Sequence, residues 1–309
     1  MTVVPERPLA EADVEVVEYT DPLCPWAWGS EPVFRRLRAA LAGRARWRRA
    51  YCILFDHDDD PAPDPAAETA WYARYVEDIG GHTQAPRALK LSRVAASSWP
   101  SSLVAKAAEA QGDDVADQVL RQLRETVFVL GEPADNLVLA LSAVTGVPGL
   151  DVERLAADAA STEVLERVRA DHAEARRPVD EVLSVRDGSP HPGAAKETAD
   201  GQFRYALPTL LVRGPAGYRV VPGWRAYEEY ATAIDAVRPG LLSDPVASAP
   251  AEALARYRSL TDPERRLLTH GSWPPADAVR VETGNGPLWL HPEEAATHPA
   301  VGRGAPSAP

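Results

Sequence analysis

Two blocks of strand-like sequence, set apart by a long helical stretch, constrain this chain more than any other feature. Asp13-Val14-Glu15-Val16-Val17-Glu18-Tyr19 alternates apolar and charged residues and stops at Thr20-Asp21-Pro22, the pattern of a strand running into a turn. From about Ser30 to Leu41, Val33, Phe34, Leu37, Ala40 and Leu41 fall at helical spacing. Arg35, Arg36 and Arg38 take the polar side, and Gly43 ends the helix. Trp47 to Phe55 reads as a second strand, with Tyr51, Ile53 and Phe55 on one face. Two strands joined in this way usually lie parallel, with a right-handed crossover. The second block opens with Leu207-Pro208-Thr209-Leu210-Leu211-Val212. It turns at Gly214-Pro215-Ala216-Gly217 and pairs back along Tyr218-Arg219-Val220-Val221. Pro222-Gly223-Trp224 then leads into a helix over 226–236.

Between the blocks the apolar periodicity is helical over 66–79, 101–111, 115–129, 136–145, 151–160 and 162–175. Gly80-Gly81, Trp99-Pro100, Gly131-Glu132-Pro133 and Gly146-Val147-Pro148-Gly149 read as breaks, and Asp135 and Asp151 as N-caps. This stretch is an all-helical insertion with a small core of its own. Before it, His57-Asp58-Asp59-Asp60-Pro61-Ala62-Pro63-Asp64-Pro65 reads as a solvated acidic loop rather than a cation site. Beyond 240 the pattern gives helices over 251–257 and 262–268, then a hairpin from 278–282 to 287–290 around Gly284-Asn285-Gly286. Residues 1–12 read as a frayed start and 296–309 as a disordered tail.

Composition removes several classes of function. With 45 acidic and 33 basic residues the net charge is −12, a field that repels nucleic acid. No apolar run approaches the ~18 residues of a membrane span, and the first residues carry no secretory pattern, so a cytoplasmic home is expected. The seven histidines show no metal-ligand spacing, and no metal is expected. Lysine occurs only at Lys90, Lys106 and Lys196, and the abundant Arg, Ala, Val and Pro fit a GC-rich, actinobacterial coding genome.

Two cysteines exclude a disulfide scaffold and leave Cys24 and Cys52 to be read singly. Cys24 falls between the first strand and the first helix, and Pro25 follows it at a favoured first helical position. The helix dipole and unpaired amides there would lower the thiol pKa and activate it. On position alone a small buried cysteine in a turn fits equally well. Cys52 lies within an apolar alternation and reads as core. Pro208 opens a strand, where no ladder donor is needed. A cis bond there would let the backbone lie against the cysteine, while most X-Pro bonds are trans.

Asp21-Pro22-Leu23-Cys24-Pro25-Trp26, the helical insertion, Leu207-Pro208-Thr209 before a hairpin and the closing helix together resemble the DsbA-like branch of the thioredoxin superfamily. Within it the chain is most similar to the FrnE-like and 2-hydroxychromene-2-carboxylate isomerase (kappa-class glutathione transferase) group. The resemblance covers about residues 13–238. It implies an α/β fold: a discontinuous thioredoxin-like domain over 1–65 and 185–240 and a helical insertion domain over 66–184; residues 241–295, which it does not cover, read from their pattern as a C-terminal extension with helices and a hairpin. It assigns Cys24 as nucleophile, Pro25 and Trp26 as the dipeptide behind it, and Pro208 as a cis-proline. Leu207 and Thr209 flank that proline at the substrate edge. Disulfide-exchanging relatives carry Cys-Pro-x-Cys; here Ala27 stands at the last position, so the motif holds no resolving thiol.

A dithiol cycle needs two sulfurs that close on each other, so a monothiol chemistry is expected. Cys24 would act on a thiol, disulfide or electrophilic small molecule, with mycothiol or glutathione as a low-molecular-weight thiol. The alternatives are an isomerase or transferase that holds a thiol cofactor, and a non-enzymatic adaptor using the same cleft. A homodimer is one assembly open to such a chain. His57, His82 and Arg93 are weaker candidates for the mouth of the site, Arg93 through a bidentate grip on a carboxylate. His191 lies in a loop without an obvious partner. Trp26, Trp28, Trp71, Trp99 and Trp224 are candidates for an apolar lining.

Overall fold

A computed structural model describes residues 13–56, 64–198, 200–243 and 247–302. In chain order the elements are β1 (Glu15–Thr20), α1 (Pro25–Leu41), β2 (Arg46–Tyr51), α2 (Pro65–Thr83), α3 (Trp99–Ala108), α4 (Asp113–Phe128), α5 (Leu137–Val144), α6 (Val152–Ala159) and α7 (Thr162–Ala175). Then come β3 (Lys196–Glu197), β4 (Phe203–Arg204), β5 (Thr209–Gly214), β6 (Gly217–Pro222), α8 (Tyr227–Val237), α9 (Pro250–Tyr257), β7 (Ser259–Thr261) and α10 (Asp262–Leu268). β8 (Val279–Val281), β9 (Leu288–Leu290), α11 (Pro292–Ala295) and α12 (Pro299–Gly302) close the series. The fold is α/β and thioredoxin-like, with many added helices.

The chain forms two compact units. The first comprises the described residues of 1–20, 30–52 and 171–246. Its sheet has the order β2-β1-β5-β6, with β1 parallel to β2 and antiparallel to β5. β5 and β6 pair antiparallel from Thr209↔Pro222 to Gly214↔Gly217, the hairpin read from the sequence. β1 is central, so both its faces are covered and nearly all of it is buried. That explains its charged member: Glu18 is fully buried and takes hydrogen bonds from Trp47 Nε1 (2.9 Å) and Arg49 Nε (3.2 Å). Phe34, Leu37 and Leu41 of α1 and Tyr230, Ile234 and Val237 of α8 share one core with Val14, Val16, Leu210 and Val212.

The second unit comprises the described residues of 21–29, 53–170 and 247–309. The units thus divide the chain differently from the boundaries expected at 65/66, 184/185 and 240/241. The Cys24 turn and everything after 246 cluster with the helical block. Buried polar bonds explain the second of these. Arg121 on α4 grips Glu264 in a bidentate pair (2.9 and 3.0 Å), and Glu125 accepts from Ser259 (2.6 Å) and meets His298 (3.0 Å). The terminal part forms a β7-β9-β8 sheet, of which β7 was not anticipated.

Several local readings need correction. α1 begins at Pro25, the first helical position read at the cysteine turn, and runs on through the helical spacing of 30–41. At Gly29 a Cβ would sit 2.4 Å from the Thr83 side chain, so the glycine permits a close approach to α2. α2 likewise continues through Gly80-Gly81 to Thr83, where Gln84 in the left-handed region donates its amide to Gly80 O. Trp99-Pro100 is the first turn of α3 rather than a break. β2 stops at Tyr51, and Ile53 takes a positive φ of 52° that no strand continues through. Asn136, not Asp135, caps α5 through Leu139 N–H. In the expected disordered tail, 299–302 form α12. The frayed start, most of the acidic loop and 303–309 lie outside the described residues.

Candidate active site

Cys24 closes the turn between β1 and α1. Its amide donates to Asp21 O (3.3 Å), and its carbonyl accepts the first helical bond, from Trp28 N–H (3.0 Å). Pro25, which has no N–H to satisfy, follows as the first helical residue. Asp21 fixes this turn from beneath. Fully buried, its carboxylate accepts from Leu23 N–H (2.8 Å), Leu54 N–H (2.8 Å) and Ser98 Oγ (3.0 Å).

Cys24 is 3% exposed. Burial pushes the Cys24 thiol up from 9.0 to about 11, and the nearby Asp21 charge adds to the rise. Hydrogen bonds from the Ala27 and Trp26 amides, and the Arg124 charge, pull it back only in part. The expected activation is therefore overturned: the helix start does offer its amides to the sulfur, but the cost of desolvating a thiolate is larger. Ala27 is fully buried and brings no second sulfur. Neither cysteine is in a disulfide. Cys52, one residue past β2, is fully buried and its thiol donates to Ala50 O (3.3 Å).

Aromatic side chains of α2 complete the surroundings. Tyr72 Oη donates to Leu23 O (3.4 Å), and burial pushes its phenol well above its usual range. Trp26 Nε1 donates to Tyr75 Oη (3.2 Å), and the Trp26 indole stacks on His82. Tyr72 and Tyr75 were not singled out from the sequence. The signal lay in Trp71-Tyr72-Ala73-Arg74-Tyr75, where aromatic residues recur within one helical turn. The tryptophans do not line one pocket. Trp28 is core, donating to Pro86 O (2.8 Å) and stacking on Phe128, while Trp71 is 58% exposed. Trp99 donates to Asp56 (3.1 Å).

Arg93 does not offer its fork to a ligand. Its two terminal nitrogens grip Asp135, whose carboxylate also accepts from Ala96 N–H (2.7 Å). His57 lies outside the described residues. In the first unit, the Leu207–Pro208 bond is cis. Pro208 O accepts from Gly223 N–H (2.9 Å), and Thr209 Oγ1 donates to Ala206 O (2.7 Å). His191 now has a partner: its Nε2 lies 2.8 Å from Leu207 O, so that nitrogen carries the proton. Burial lowers the His191 pKa to about 4, which keeps the ring neutral. Among the described residues no group of three or more His, Cys, Asp or Glu is placed to hold a metal ion. No described helix is long and apolar enough to cross a membrane.

The ClpXP adapter protein SpxH of Shouchella clausii is 28% identical over 165 residues, 52% of this chain and 53% of SpxH. The chain thus spans about half the length of the curated relative it matches. A candidate protein disulfide isomerase from Nitrosomonas europaea superposes with a TM-score of 0.54 at 14% identity, over 72% of this chain and 96% of that one. The cytosolic disulfide reductase DsbM from Pseudomonas aeruginosa gives 0.49 at 16%, over 72% and 93%. The family model described as thioredoxin matches residues 18–177, from the central strand through the cysteine turn and the helical block. Since that match takes in more than half of the chain, the protein belongs to the thioredoxin family.

Proposed function

We propose that the protein is a cytoplasmic monothiol oxidoreductase of the DsbA/FrnE type that uses Cys24 as its nucleophile. The observation that supports it most is a lone sulfur at a helix start, met by the Trp26 and Ala27 amides, with alanine where a resolving thiol would stand. The Cys24 thiolate attacks one sulfur of a disulfide R–S–S–R′. A Cys24–S–S–R bond forms, the original S–S bond breaks and R′S⁻ leaves. With no second thiol in the motif, an external low-molecular-weight thiolate, mycothiol or glutathione, then attacks the mixed disulfide. It leaves with R–S and returns the Cys24 thiolate. The electron count balances, since one disulfide is consumed and one is formed in each cycle.

Intact mass of protein purified without reductant tests this directly. An adduct that is absent from Cys24→Ala, and that an added thiol removes, supports the reading and names the thiol. Unmodified Cys24 together with equal disulfide turnover by wild type and Cys24→Ala refutes it. The likeness to an adapter protein favours a second reading, a non-enzymatic adaptor, in which a buried, protonated Cys24 is dispensable. Alkylation at Cys24 ends the first function and leaves the second intact. An isomerase or transferase that holds a thiol cofactor without a covalent bond would show thiol-dependent turnover in Cys24→Ala.

A further inference from the structure

On the second unit, α2 and the segment 87–91 enclose a cavity of about 180 Å³. Tyr72, Val76, Leu91, Val127 and Phe128 make its floor. By helical spacing, Ala73 and Glu77 lie on the opposite flank of the buried Tyr72–Val76 ridge from Trp71 and Tyr75, so this cavity shares only Tyr72 with the aromatic side chains around Cys24. Its mouth carries Arg74, Glu77, Arg87 and Lys90. Glu77 and Arg87 form an ion pair and cancel. Arg74 and Lys90 have no carboxylate partner among the described residues. Two uncompensated cations at the mouth of an apolar cavity stand out on a chain of net charge −12.

We propose that this cavity binds a small apolar carboxylate, such as an arylalkyl acid, with its ring on the Val76–Phe128 floor and its carboxylate between Arg74 and Lys90. The volume fits: an apolar cavity of roughly 150 Å³ takes up benzene, which leaves room here for a short arm. Burial of the ring supplies the driving force, and the two cations fix the polar end at the water-exposed mouth. The site does not depend on Cys24 chemistry.

The test is calorimetric titration of the whole protein with 3-phenylpropionate and, as the neutral isostere, 3-phenylpropanamide. The acid should bind saturably and roughly fivefold or more tightly than the amide, with an affinity that falls as salt rises. Replacing both exposed cations, Arg74→Ala with Lys90→Ala, should bring the acid down to the affinity of the amide. Val76→Trp, which fills the cavity, should abolish both. Equal affinity for acid and amide, or an unchanged acid affinity without the two cations, overturns the proposal. So does the absence of saturable acid binding to wild type. Because Arg74 and Lys90 are surface residues, their double variant remains informative even if Val76→Trp fails to fold.

Discussion

Raising the pH should accelerate the reaction of Cys24 with a small disulfide such as 4,4′-dithiodipyridine, and the rate should go on rising well beyond the range of an ordinary thiol. Burial places the Cys24 thiol at about 11 against an ordinary 9.0. At pH 8 the thiolate fraction is then about 10⁻³, where an ordinary thiol would hold about 10⁻¹. The more basic thiolate is the better nucleophile, and a Brønsted slope of about 0.4–0.5 returns roughly eightfold. The net rate should be roughly a tenth of that of an ordinary thiol, before any shielding by burial. In a Cys52→Ser background, stopped-flow rates from pH 7 to 10 should rise about tenfold per pH unit without levelling. A plateau at or below pH 8 would refute the claim that burial outweighs the helix start. The same shift carries a sign for stability. The folded chain holds the Cys24 proton more tightly than the unfolded chain. This contribution is therefore fully present below about pH 9 and is lost as pH rises through about 11.

Three further outcomes are expected. Ala27→Cys places a thiol three residues after Cys24, one helical turn on, where Cβ atoms can come within the roughly 3.5–4.5 Å a disulfide needs. Mild oxidation should join it to Cys24 with the loss of two hydrogen atoms in mass, and no internal bond would argue against this helix-start geometry. Gly29→Ala should lower stability by about 1–3 kcal/mol, because the new methyl meets Thr83. Thr83→Ala should rescue it only in part, since Thr83 Cβ itself lies 2.6 Å from the added carbon, and denaturant melts of the three variants would show this. Burial alone would raise the Glu125 pKa, but the Arg121 charge and the bonds from His298 and Ser259 hold it down to about 2. Stability tied to it is present above the ordinary value near 4.5 and is lost as pH falls through about 2. Glu125→Gln should cost about 1–3 kcal/mol, because Arg121 loses one charged partner but keeps its bidentate pair with Glu264, and an unchanged melting curve would exclude this.

What could be read from the sequence was what local chemistry determines. The 214–217 turn, the 162–175 and 262–268 helices and the Asp151 cap each carry their signal within a few residues, and all stand as read. Readings failed where a distant side chain decided the outcome. Gly80-Gly81 looked like a helix break, yet α2 runs through it to Thr83, and Asn285, far along the chain, donates its side-chain amide to Gly80 O (2.8 Å). Arg93 looked available because nothing local predicts its grip on Asp135. At the cysteine, sequence could place the sulfur at a helix start but could not show how deeply Asp21, Tyr72 and Trp26 enclose it. His191 had no visible partner because its acceptor is the carbonyl of Leu207, a backbone group that no sequence pattern marks.

The balance at Cys24 bears on what a lone buried thiol does in the proposed chemistry. Burial penalises the charged thiolate but not a neutral mixed disulfide, so the environment that slows the first attack favours the adduct once it has formed. A thiolate with a pKa of about 11 is also a poor leaving group, because exchange expels the more acidic thiol faster. An incoming thiol that attacks the mixed disulfide is therefore steered to the Cys24 sulfur or to its partner by access, with leaving-group strength favouring release of the partner. With Ala27 offering no internal escape, the adduct should persist until an external thiol arrives, and most attacks should swap one small thiol for another before one returns Cys24, so turnover should be slow. Loading the protein with glutathione and adding a tenfold excess of a second thiol distinguishes the two behaviours. Slow replacement of one adduct mass by the other fits a thiol-holding centre. Rapid return to bare Cys24 would mean that the sulfur leaves easily, and that burial does not govern its chemistry.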